Sequence, residues 1–88
     1  MRWRYGIEIL RRDSDGRLHY CERCYLDDDE LKELKEELKK KSFKRIILDQ
    51  AKKSSPEPGR YLFYFFKEKR KKGRIKKKKV LERAEVEL

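Results

Sequence analysis

The sequence predicts an α+β protein with the element order β-β-α-β-β-β. The expected architecture is a five-stranded antiparallel sheet, with 2-1-3-4-5 as the expected order, and one helix packed on one face. Three observations lead there. Residues 3–11 alternate apolar and polar side chains, the period of a half-buried strand. Residues 27–41 carry helix start and stop signals around a stripe of leucines. Residues 60–88 divide into two long strands at Lys72-Gly73, where glycine permits the positive φ of a short hairpin loop. With 88 residues, no internal repeat and no interior linker, a single domain covers 1–88.

In the first strand, Trp3, Tyr5, Ile7 and Ile9 share one face. Asp13-Ser14-Asp15-Gly16 is a turn, with aspartates that tolerate left-handed backbone and a glycine that prefers it. A regular second strand over Arg17–Leu26 places Leu18, Tyr20, Glu22, Cys24 and Leu26 on the Trp3/Ile7 face. Arg17, His19, Cys21, Arg23 and Tyr25 then point the other way. Asp27 and Glu30 have capping-box spacing, and Leu26 and Leu31 are placed as a hydrophobic staple. Acid at Asp27–Glu30 and base at Lys39–Lys41 suit the helix dipole. The helix is expected over about 28–42, packed through Leu31, Leu34 and Leu38.

Arg45-Ile46-Ile47-Leu48-Asp49 reads as the third strand, although its consecutive apolar residues leave the outward face ambiguous. Ser54–Gly59, with two prolines, breaks the chain. The fourth strand is apolar on both faces: Tyr61, Phe63 and Phe65 on one, Leu62, Tyr64 and Phe66 on the other. One helix of about 22 Å is too narrow to cover five strands. Either the sheet curls around its own core, or the bare face meets a partner, a homodimer through 61–66 being one form of it.

Charge is concentrated in one place. The chain carries +10, and positions 67–79 hold ten basic residues against one acidic residue, or +9. The basic residues are Lys67, Lys69, Arg70, Lys71, Lys72, Arg74, Lys76, Lys77, Lys78 and Lys79. Clustered cations on a ribbon match the electrostatic footprint of a protein that grips a DNA or RNA backbone. Lysines supply point charges rather than a base code, so little sequence preference is expected. The bland reading is a lysine-guarded edge strand that resists sheet-to-sheet aggregation.

Catalytic chemistry is poorly represented, and the protein is expected not to be an enzyme. Cys21 and Cys24 have half of a zinc-site spacing, but residues three apart on a regular strand face opposite ways, and the chain has only two Cys and one His. His19 and Cys21 share a face without an Asn to orient the pair, since the chain contains none. Glu22 falls on the core face, where burial would raise its pKa, but no second carboxylate accompanies it. The glycines are isolated, so there is no phosphate-binding loop. No metal or cofactor is expected. No apolar run is long enough for a membrane span, and Met1–Leu10 is a charged alternating strand rather than a signal peptide. The expected setting is cytoplasmic, or a recombinant soluble protein, not secreted.

The graded acid-to-base helix at Asp27–Lys41, the Asp-Ser-Asp-Gly turn and the closing Leu81–Leu88 stretch resemble computationally designed α+β proteins. The resemblance covers about half the chain and implies a thermostable scaffold without activity. Departures from it are Cys21, Cys24, His19, the Tyr/Phe run and the +9 tip; designers avoid free exposed cysteines and large single-sign patches. No motif in the chain points to a natural family. The abundance of Lys and Glu, with Gln50 the sole side-chain amide, also fits the alternative of a natural thermophile or viral nucleic-acid-binding protein.

Overall fold

Residues 2–88 are described by a computed structural model. Six elements follow in order: β1 (Arg4–Arg12), β2 (Leu18–Tyr25), α1 (Asp28–Leu38), α2 (Phe43–Ser54), β3 (Arg60–Lys71) and β4 (Arg74–Glu87). The strands form one antiparallel sheet ordered β2-β1-β3-β4. The fold is α+β, as expected, but with four strands and two helices in place of five strands and one helix.

The difference lies at Arg45–Asp49, which is helical. Ser42 caps α2, its side chain accepting from the Arg45 amide. Phe43, Ile46, Ile47 and Ala51 recur at helical spacing, and Lys52 and Lys53 occupy the last turn, where cations suit the dipole. Read alone, Ile46-Ile47-Leu48 looks like a strand core. Framed by Phe43 and Ala51 it is one stripe of an amphipathic helix. Removing the third strand from the order 2-1-3-4-5 leaves the observed order. The coverage problem also changes, because two helices share the face of four strands.

α1 begins as expected. Asp27 accepts from the Glu30 amide and Glu30 accepts from the Asp27 amide, completing the capping box. Leu31, Leu34 and Leu38 pack on the core of Phe43, Phe65 and Ala84, together with Tyr5, Ile7, Leu26, Ile47, Phe63 and Leu81.

β2 is not regular. Ile7 faces Cys24 and Ile9 faces Glu22, but Leu10 faces Tyr20 and Arg11 faces His19. Cys21 is the extra residue of a bulge, which reverses the faces beyond it. Glu22 and Cys24 stay on the helix-covered side. His19 joins them there, while Leu18 and Tyr20 turn to the opposite face, 40% and 59% exposed.

The helix-free face is nevertheless closed at its centre. Phe66 is 0% exposed and Leu62 1%. A Cβ built on Gly6 would lie 2.8 Å from Phe66 Cζ and 2.8 Å from the Cys24 carbonyl oxygen, so Phe66 lies on the bare backbone of its cross-strand partner. The rest of the cover is made of charged side chains. The guanidinium carbons of Arg4 and Arg23 stand 3.6 Å and 5.5 Å from the Tyr25 and Phe66 ring centroids. Lys78 Nζ is 4.9 Å from the Phe66 centroid, and an Arg12–Glu85 ion pair spans β3 near Leu62. Long stems shield the apolar row while their charged ends reach water. This cover is supplied from within the chain itself.

Candidate nucleic-acid interface

β3 and β4 join through Lys72 (φ 51°) and Gly73 (φ 78°). Two consecutive positive φ values are those of a type I′ hairpin turn, whose twist matches the strands it joins. β1 last pairs with β3 at Arg4–Glu68, so three pairs extend the ribbon beyond the sheet: Lys69–Lys77, Arg70–Ile75 and Lys71–Arg74. The extension is about 10 Å at 3.3 Å per residue.

Register divides the ten basic residues. On the helix side, Lys67 faces Lys79, Lys69 faces Lys77 and Lys71 faces Arg74. Three directly opposed like-charge pairs thus follow one another, each unfavourable by about 0.2–1 kcal/mol. Lys67 and Lys69 lean on Trp3, their Nζ atoms 4.4 Å and 4.5 Å from its ring centroid. Lys71, Lys72, Arg74, Lys76, Lys77 and Lys79 are exposed and, among the described residues, form no ion pair.

The other two basic residues serve the opposite face. Arg70 Nε donates to Glu68 Oε1 at 3.0 Å, and Arg70 Nη2 donates to the Tyr25 hydroxyl at 3.1 Å. That hydroxyl donates to Glu68 Oε1 at 2.7 Å. Glu68 is 0% exposed, and its Oε2 has no hydrogen-bond partner among the described residues. Burial pushes the Glu68 carboxyl up, but the bonds from Tyr25 and Arg70 outweigh it and leave its pKa below the ordinary value. Lys78 donates to Glu8, which also accepts from Arg23 Nη2 at 3.1 Å. These two buried carboxylates were invisible as such in the sequence. The available signal was Glu8's position between Ile7 and Ile9 in the centre of β1; Glu68, flanked by Lys67 and Lys69, gave no such signal.

The other expected candidates fall apart. Cys24 Sγ donates to Glu22 Oε1 at 2.9 Å, which raises the thiol's pKa and makes it less reactive. His19 Nε2 meets Asp13 Oδ2 at 2.6 Å on the exposed turn. Cys21 and Glu22 are both exposed at the edge of a largely apolar groove beneath α2. Among the described residues, no three His, Cys, Asp or Glu side chains converge so as to hold a metal ion, and no helix is long and apolar enough to cross a membrane.

Fold and surface together define a two-layer α+β domain that displays a basic β-ribbon. No known family model matches the chain, and no curated protein or solved structure matches it either.

Proposed function

We propose that this protein is a non-enzymatic α+β scaffold that binds polyanions, foremost nucleic-acid backbones, through the helix-side surface of its β3–β4 ribbon, without sequence preference. Its designed or redesigned character belongs to the same proposal. One observation carries the binding: three successive like-charge cross-strand pairs with no acidic partner. Their mutual repulsion is relieved when phosphates insert between them, releasing the counterions condensed on the nucleic acid. Lysine-guarded edges need only scattered charge, and opposed lysines exceed that need.

The test is a titration of labelled duplex at two salt concentrations. If the six exposed, unpaired cations each meet a phosphate, log K falls against log salt with a slope of about −5. Affinity at physiological salt is then on the order of micromolar or weaker. Absence of binding at roughly 50 mM salt, a condition that favours such contacts, would overturn the proposal.

A further inference from the structure

Trp3 is the chain's only tryptophan and stands apart from the hydrophobic core cluster. It lies one residue before β1, half-buried, with Lys67 and Lys69 against its ring. Beside it opens a cleft of about 450 Å³ with Trp3, Tyr5, Leu26 and Leu31 in its walls, and with Arg2 paired to Asp28 at 3.3 Å at its rim. The lysine pairs and this cleft adjoin along the same helix-side surface. They offer two different chemistries: unpaired cations along the ribbon, and aromatic and apolar walls in the cleft beside Trp3.

We infer, resting on the polyanion-binding proposal, that the preferred ligand is a single-stranded nucleic acid, with a base stacked on Trp3 and the backbone running along the lysine pairs. In the cleft Arg2 is paired with Asp28 and Asp27 caps α1, whereas Lys67, Lys69, Lys77 and Lys79 have no acidic partner among the described residues, so the backbone belongs over these lysines. An unpaired base carries no charge and has a π-face to stack on the indole ring. A duplex keeps its bases paired and stacked on one another, where a recessed tryptophan cannot reach them. Aromatic stacking platforms beside a cationic track are the general means by which proteins hold single strands without reading sequence. Lysine ammonium groups over the indole do not compete with this, because a base can take the free part of the ring or displace one flexible side chain.

Trp3 is its own reporter. The experiment titrates the intact protein with a thymidine oligonucleotide of roughly ten nucleotides, an abasic oligonucleotide of equal length, and heparin, following tryptophan emission and affinity. Stacking predicts strong quenching by the thymidine strand alone. It also predicts roughly 5- to 150-fold tighter binding than the abasic strand, with similar salt slopes. Trp3→Ala should remove that advantage while heparin affinity stays within about twofold, and Trp3→Phe should restore much of it. If Trp3→Ala fails to fold, the quenching and the abasic comparison decide alone. Equal affinity for thymidine and abasic strands without quenching overturns stacking and leaves backbone binding standing. Failure of all three polymers to bind at low salt overturns both.

Discussion

Lys77 and Lys78 are neighbours in a run of four lysines, yet the structure gives them different work. Lys77 is exposed on the helix side opposite Lys69. Lys78 points the other way and donates to Glu8, which is only 7% exposed and has Arg23 as its other cation. Replacing each with methionine keeps the stem and removes the charge. Lys78→Met leaves a buried carboxylate with one partner of two, at about 1–2 kcal/mol. That is the lower part of the usual range, because the lysine itself stays one-third exposed. For a chain of this size the melting temperature should fall by roughly 4–16 °C. Lys77→Met should change stability by less than about 0.5 kcal/mol, with any gain coming from relief of the Lys69 repulsion. The salt dependence of duplex binding should behave in reverse: Lys77→Met flattens the slope by about 0.9, and Lys78→Met leaves it nearly unchanged. Thermal unfolding and fluorescence titration read the two effects. Adding Glu8→Gln to Lys78→Met should cost less than Glu8→Gln costs in the parent, since the pair is already broken. Equal slopes and equal melting temperatures for the two variants would refute the division of the ribbon into a binding side and a structural side.

Acid should destabilise the fold. The Glu68 carboxyl is raised by burial but lowered further by Tyr25 and Arg70, and Glu85 is held down chiefly by its bond from Arg12. A depressed folded pKa contributes stability above the unfolded value, about 4.3 for glutamate, and that contribution is lost as pH falls through the folded value. Urea midpoints should therefore drop below roughly pH 4.3, and Glu68→Gln should make the drop shallower; an unchanged profile would refute the role of Glu68. Gly6→Ala should cost about 1–3 kcal/mol, because the new methyl meets both Phe66 and the Cys24 carbonyl. An unaltered melting temperature would show the contact to be slack. Glu22→Gln should speed alkylation of Cys24 and leave Cys21 unchanged, as read by peptide mass spectrometry, since Glu22 is what raises the Cys24 pKa. Equal Cys24 rates in parent and variant would exclude that cause.

Local chemistry was legible in the sequence wherever neighbours in the chain decide the outcome. The capping box at Asp27 and Glu30, the turn at Lys72-Gly73, the extended stretches around Ile7 and Phe65, and the charge of the ribbon are all set within a few residues. Period-two alternation, a capping side chain and a glycine with positive φ act at short range, so they can be read directly. The tertiary structure decided what depends on distant partners. Ile46-Ile47-Leu48 had no preferred face until Phe43 and Ala51 completed a helical stripe against the sheet. One bulge residue, Cys21, moved His19 to the helix side and sent Leu18 and Tyr20 away from it, because a shift of one residue exchanges every face beyond it. Glu8 and Glu68 became buried only when Lys78, Arg23, Tyr25 and Arg70 arrived from other strands or from further along the same strand. The basic site was visible as a net charge. Its two-sided arrangement was not, because strand register assigns Lys77 to the open side and Lys78 to a buried carboxylate 70 residues earlier in the chain.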